Sequence, residues 1–205
     1  MAFPTTGILD NFNRGDEGPP PSSNWTDILN GLKVVGNEVK GNSTNQYNWS
    51  CWNVGTFGPD CEAYITMSDN MTNGGRGTCL RCTTLDSGTI DGYLSGWYAA
   101  NDEELRIYRI DNGGFTQLGA SVSWISDVGD KIGGEAIGGT IKCYVDDGGA
   151  GWAEKLSRDD ATYGDAGYVG YRIFKHLEAS DDFGGGTIGG EAGVTRMIPQ
   201  IIFIQ

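Results

Sequence analysis

Tyr93, Ser95 and Trp97 occupy alternate positions of the run GYLSGWYA, and Arg81 lies in the run before it. Alternate residues of a strand share one face. An aromatic ring beside a few directed polar groups is the combination that stacks on a sugar and hydrogen-bonds it. Tyr171 and Arg172, adjacent in GYVGYRIF, form a second set of the same kind. Aromatic residues in strands also build cores, so glycan contact at Arg81, Tyr93, Trp97, Tyr171 and Arg172 competes with plain packing.

Acid–base cleavage of a glycosidic bond needs two carboxylates held about 5–9 Å apart. On a single strand that means acidic residues at alternate positions, and no run supplies them. Glu62 stands alone in its run, Glu135 is followed by AIGG, and Glu103 and Glu104 sit beside a turn. His176, the one histidine, follows YRIFK near a strand end, a place that suits a turn better than a general base. Cys79-Leu80-Arg81-Cys82 has the spacing of a redox or zinc motif. In a strand, however, residues three apart point to opposite faces, and no second Cys pair or His accompanies it. With Cys51, Cys61 and Cys143 the cysteines number five. The odd set reads as mostly free buried thiols, with a Cys51–Cys61 bridge across a turn as the alternative.

The chain has 27 acidic against 14 basic residues and a formal charge of -13. Phosphate contacts need clustered Lys and Arg, so nucleic acid and anionic membranes are poor partners. No run approaches the roughly 18 apolar residues of a membrane span. The opening MAFPTTGILDNF lacks the charged and apolar regions of a signal peptide.

The elements that must position these residues are strands. Short alternating runs recur between Gly, Asn, Asp and Pro turns, and helical periodicity is nearly absent. Cys61, Ala63, Ile65 and Met67 alternate with Glu62, Tyr64 and Thr66. GLKVVGNEVKG predicts a hairpin around Gly-Asn, and AANDE a second one between YLSGWY and LRIYRI. Further strands are expected at Lys131–Ile137, Thr140–Val145, Ala150–Leu156, Gly167–Phe174 and Asp181–Thr187, and one helical turn at Asn24–Leu29. About a dozen strands over 205 residues fit two stacked antiparallel sheets. One domain over residues 1–187 is expected, followed by a glycine-rich linker and an apolar terminal strand over 188–205.

In order along the chain, ILDNFNRGDEGPPPSSNWT, GLKVVGNEVKG, FGPDCEAYITM, DGYLSGWY, LRIYRIDNGGFTQLG, GDKIGGEAIGGTIKCYVDDG, GDAGYVGYRI and DDFGGG resemble the concanavalin-A-like or LamG-like jelly-roll domains. Those domains occur in bacterial polysaccharide-active proteins and in phage structural proteins. The resemblance implies an all-β, two-sheet antiparallel sandwich. The resembling hydrolases carry a Glu-x-Asp-x-x-Glu strand, and the resembling alginate lyases carry Gln-Ile-His and Tyr-Phe-Lys-Ala-Gly runs. All of these are missing here, which favours a binding or structural module over a polysaccharide lyase or glycoside hydrolase. The opening without a signal resembles the phage versions. It implies a virion-associated structural protein made in the host cytoplasm, with other virion or self subunits and a polysaccharide as the expected partners. A stand-alone extracellular carbohydrate-binding module is the alternative.

Resembling modules often join their first and last strands near a structural Ca²⁺, and that implies Asp10, Asp181 and Asp182 as ligands. At the far end, MIPQIIFIQ carries Ile198, Ile201, Ile202, Phe203 and Ile204. A strand of that composition must be covered, either by its own sandwich or by adding to a neighbouring subunit's sheet as an assembly contact.

Overall fold

The computed structural model describes residues 2–70, 74–99, 102–175 and 178–189. Among these, every regular element is a strand or an isolated bridge, and the strands form two eight-stranded sheets. Sheet A runs β14 (Trp152–Asp159), β13 (Thr140–Asp146), β12 (Lys131–Ile137), β6 (Cys61–Met67), β16 (Ala179–Thr187), β4 (Val39–Gly41) and β3 (Leu32–Val34). β1 (Ile8–Asp10) also pairs with β16, so the first and last described strands lie side by side. Sheet B runs β10 (Gly114–Gln117), β9 (Glu104–Asp111), β8 (Gly92–Ala99), β7 (Gly75–Cys82), β15 (Tyr168–Phe174), β5 (Tyr47–Trp52) and β2 (Trp25–Leu29), with β11 (Val122–Ser123) against β9. Each named strand pair is antiparallel.

Local chemistry explains the short connections. Gly36 and Asn37 join β3 to β4 with φ of 67° and 64°, and Asn112 and Gly113 join β9 to β10 with 48° and 76°. Paired positive φ values are what a two-residue hairpin loop requires, because they match the twist of the flanking strands. The strands on either side of AANDE also pair antiparallel, with Ala99 opposite Glu104, while residues 100 and 101 lie outside the described residues. Residues Trp25–Leu29, by contrast, are a strand and not a helical turn. Five residues cannot nucleate a helix alone, whereas β5 offers them a ladder and a face on which to bury Trp25.

The core lies between the sheets. Cys61, Ala63, Ile65 and Met67 meet Ile132, Ile141, Cys143, Val145 and Phe183 from sheet A, and Trp25, Leu80, Tyr93, Ile107, Val169, Tyr171 and Ile173 from sheet B. Glycine sets the closest approach: a Cβ on Gly134 would stand 2.5 Å from the Ser95 Cβ. The Ser95 hydroxyl donates to the Lys142 carbonyl at 2.7 Å, stitching the two layers there. All five cysteines are free and buried. Cys51 packs in the outer layer of sheet B and Cys61 in the core between the sheets, and both are free, so the bridge across a turn is not formed. His176 and the apolar run containing Ile198, Ile201, Ile202, Phe203 and Ile204 lie outside the described residues.

Candidate functional site on the outer face of sheet B

Sheet B has a second apolar layer on the side away from the core. It contains Ile28, Trp49, Cys51, Cys79, Cys82, Ile90, Leu94 and Ile110, with Tyr108, Phe115, Tyr168 and Phe174 packed against them. Its shape follows from one contact. Phe115 is in β10, at one end of the strand order, yet its ring centroid lies 6.0 Å from that of Trp49 in β5 and 4.2 Å from the guanidinium of Arg172 in β15. In a flat sheet, β10 and β15 would be about 19 Å apart. The β9–β10 end therefore curls over, and the outer face of sheet B is concave.

Arg172 sits in this concavity. Its guanidinium lies between the rings of Tyr47 at 3.9 Å and Phe115 at 4.2 Å, a geometry suited to cation–π attraction. Burial lowers its pKa to about 10, which leaves it a cation at neutral pH. Tyr47, Leu94, Tyr108, Phe115 and Arg172 line a pocket of about 170 Å³. Tyr47 is 42% exposed and forms the open lip, its ring tilted against that of Phe174 at 4.8 Å.

The sequence-selected residues divide sharply. Arg172 lines this pocket. Trp97 lies in β8 opposite Arg106, on the same strand as Leu94. The β8–β9 pairing shifts register between Leu94 and Trp97, where Gly96 has φ 64°. Tyr93 and Tyr171 face the core and are fully buried, so their rings cannot meet a polysaccharide. The Tyr93 hydroxyl donates to the Asp160 carbonyl at 2.9 Å and accepts from the Tyr163 amide at 3.0 Å. That of Tyr171 pairs with Ser180 at 2.7 Å. Arg81 is 1% exposed and clamps backbone, donating to the carbonyls of Pro59 (2.5 Å), Gly138 (2.8 Å) and Tyr163 (3.0 Å). Its φ of 51° also inserts an extra residue into β7. That bulge returns Cys82 to the outer face with Cys79, against the simple alternation rule. Cys82 packs on Cys51 and Cys79, and these contacts together with burial raise its pKa and keep it a neutral thiol.

Tyr47, Tyr108 and Phe115 were missed. The Asn-Gly turn does place Phe115 opposite Ile110, but only the curl of the sheet carries it over Arg172. Glu62 and Glu135 were also judged singly, whereas they are direct cross-strand partners on the outer face of sheet A. Both are buried, Glu62 beneath residues 3–6 and Glu135 beside Tyr144, so the pair is closed to a glycan.

The expected calcium ligands do not fit an ion. Asp10 and Asp182 border one shallow depression, but both Asp10 oxygens are taken. Oδ1 accepts from the Phe12 amide (2.9 Å) and Arg14 (2.6 Å), and Oδ2 from Arg14 (3.0 Å) and the Trp25 indole (2.8 Å). Burial alone would raise the pKa of Asp10, but these donors hold it below the usual value. Asp181, raised by burial, accepts from the Asp182 amide at 2.8 Å. Among the described residues no group of three His, Cys, Asp or Glu is placed to hold a metal. The melting temperature is therefore expected to be the same in Ca²⁺ and in EDTA; a rise with Ca²⁺ would restore the three aspartates as ligands.

No family model and no curated protein matches the sequence. Solved structures do match the fold. A carbohydrate-binding module, CBM66, from Bacillus subtilis aligns over 78% of this chain and 91% of its own, at 19% identity and a TM-score of 0.58. The Ca²⁺-bound exoplasmic/lumenal domain of VIP36 aligns over 90% and 91%, at 12% identity and 0.59. A galectin-like protein of unknown function from Bacillus subtilis aligns over 91% and 98%, at 14% identity and 0.62. Two antiparallel sheets, adjacent first and last strands and these neighbours agree: the chain is a β-sandwich of the concanavalin-A-like jelly-roll fold.

Proposed function

We propose that the protein is a glycan-binding module and that the concave face of sheet B, centred on Arg172, is its binding surface. The carrying observation is the guanidinium held between Tyr47 and Phe115 at the wall of a pocket otherwise lined by Leu94 and Tyr108. The aromatic faces suit the C–H surface of a pyranose, and the planar fork of Arg172 supplies directed donors. At about 170 Å³ the pocket is smaller than the roughly 300–1,000 Å³ of drug-sized sites, so it accommodates one sugar ring and not a run of several. The names of the structural neighbours, a carbohydrate-binding module and VIP36 with Man3GlcNAc among them, support the same reading.

Screening neutral and acidic oligosaccharides and titrating the best binder tests this. Tyr47→Ala, at an exposed position, is expected to weaken binding about tenfold or more with the melting temperature unchanged. Phe115→Ala should weaken it further. Full affinity in both variants, or no binding across the panel, would overturn the proposal. New reducing or unsaturated ends in the same incubations would instead favour a lyase or hydrolase. The same concave face would serve a virion subunit touching host glycans, one of the settings in which the resembling domains occur. Mass spectrometry of purified particles locates it there or not.

A further inference from the structure

We propose that the outer face of sheet A is a docking groove for an extended aromatic–proline–threonine–threonine segment, filled here by the chain's own residues 3–6 and open to the same segment of a second copy. The groove is specific. The Phe3 ring lies parallel to Tyr144 at 4.3 Å and edge-on to Trp152 at 4.9 Å and Tyr64 at 6.5 Å. Gly133 and Gly186 leave the room it needs: a Cβ on Gly133 would stand 2.6 Å from Phe3, and one on Gly186 2.9 Å from Thr6. Glu62 Oε1 accepts from the amides of Thr5 and Thr6, both at 2.6 Å, and from the Thr5 hydroxyl at 3.2 Å. The Tyr64 hydroxyl donates to the Thr6 carbonyl at 3.1 Å. Backbone donors and a backbone acceptor are therefore both read, as in peptide recognition.

The resident segment is an imperfect occupant. Glu62 Oε2 and Thr6 Oγ1 are both buried without a hydrogen-bond partner. Residues 3–6 are tied through Gly7 to β1, whose ladder with β16 begins at Ile8, and that connection fixes their register in the groove. The two orphaned atoms lower the cost of releasing the resident segment from its own groove. The Gly7 carbonyl accepts from the Gly185 amide at 3.2 Å, but Gly7 is exposed with nothing within 4 Å of the place its Cβ would take, so the segment before that carbonyl has room to swing away. Exchange of an identical element between copies keeps the same contacts and is a low-cost route to a dimer.

The test uses the full chain and a labelled peptide copying residues 2–8. Phe3→Ala loosens the resident segment and leaves the groove intact. Thr5→Pro, which deletes one amide donor to Glu62, does so independently. Both variants should bind the peptide at one per chain, while the unaltered chain binds it at least tenfold more weakly because its own segment competes at high effective concentration. Adding Glu62→Ala to either should abolish binding. The unaltered chain should also shift from monomer toward dimer in sedimentation as concentration rises, and excess peptide should reverse the shift. Folded variants that ignore the peptide, or a chain that stays monomeric at every concentration, would sink the proposal. The glycan pocket lies on the other sheet, so Tyr47→Ala should leave peptide binding unaltered.

Discussion

Replacing Arg81 by alanine is expected to cost about 3–5 kcal/mol of stability, which for a chain of this size lowers the melting temperature by roughly 6–20 °C. The guanidinium ties three carbonyls from separate segments: Pro59 before β6, Gly138 in the β12–β13 turn, and Tyr163 after β14. Its Nη2 atom also lies 3.7 Å from Asp60. Alanine deletes three hydrogen bonds from one charged donor and empties the space of a buried side chain, and each bond to a charged group is worth about 1.5–3 kcal/mol. Lysine should rescue little, because a single ammonium cannot span the donor geometry of a planar fork. A calorimetric melt of the two variants checks the size of the effect. The variants also separate clamp from ligand contact: folded Arg81→Ala should bind glycan with unchanged affinity, whereas a glycan-contacting Arg81 would lose affinity with little change in melting.

The second large effect is pH-dependent and centres on Glu178. Burial raises its pKa to about 7, the nearby Asp69 carboxylate adds to the rise, and Arg76 only partly offsets it. Its Oε2 atom is buried without a hydrogen bond, and the carboxylate lies where a Cβ on Gly74 would stand. The raised value means that the folded state holds this proton more tightly than the unfolded chain, whose pKa is about 4.5. Stability must then fall as pH rises from about 4.5 to about 7 and level off above, with a total effect of order 2–3 kcal/mol. Glu178→Gln should flatten that window and raise the melting temperature at pH 8 by several degrees. Glu135 and Asp181, also raised by burial, slope the same way, so the difference between the two proteins is the quantity to read. An unchanged slope in Glu178→Gln would show that the carboxylate is solvated in the fold.

How much of this was legible beforehand depends on the range of the physics involved. Strand period, β-branched and aromatic content and turn chemistry are local properties. They placed Lys131–Ile137, Gly92–Ala99 and Glu104–Asp111 as strands and located the Gly36-Asn37 hairpin and the strand pair flanking AANDE. The pairing of the first and last described strands was legible only through the resemblance, which implied it: β1 meets β16.

Local rules failed wherever an irregular residue resets the alternation. Arg81 with φ 51° moves Cys82 out of the phase that period two assigns it, and the β8–β9 pairing shifts register at Gly96. A positive φ outside glycine depends on what the surrounding structure demands, and here Arg81 is held by three distant carbonyls. Burial was also undecided by sequence. Tyr93 and Tyr171 look like Tyr47 and Tyr108 on paper, and which face of a strand meets the other sheet is fixed only when the layers stack.

Two decisions belonged wholly to the tertiary structure. One is the concavity of sheet B, because the curl that brings Phe115 from β10 over Arg172 in β15 accumulates across five strands and no single run encodes it. The other is the pairing of Glu62 with Glu135, which lie 73 positions apart and meet only because β6 and β12 are neighbours. What the sequence determined by itself was composition and period, and hence the strands and the class of fold. Which residues share a site is set by long-range strand order and sheet curvature, and neither leaves a local signature.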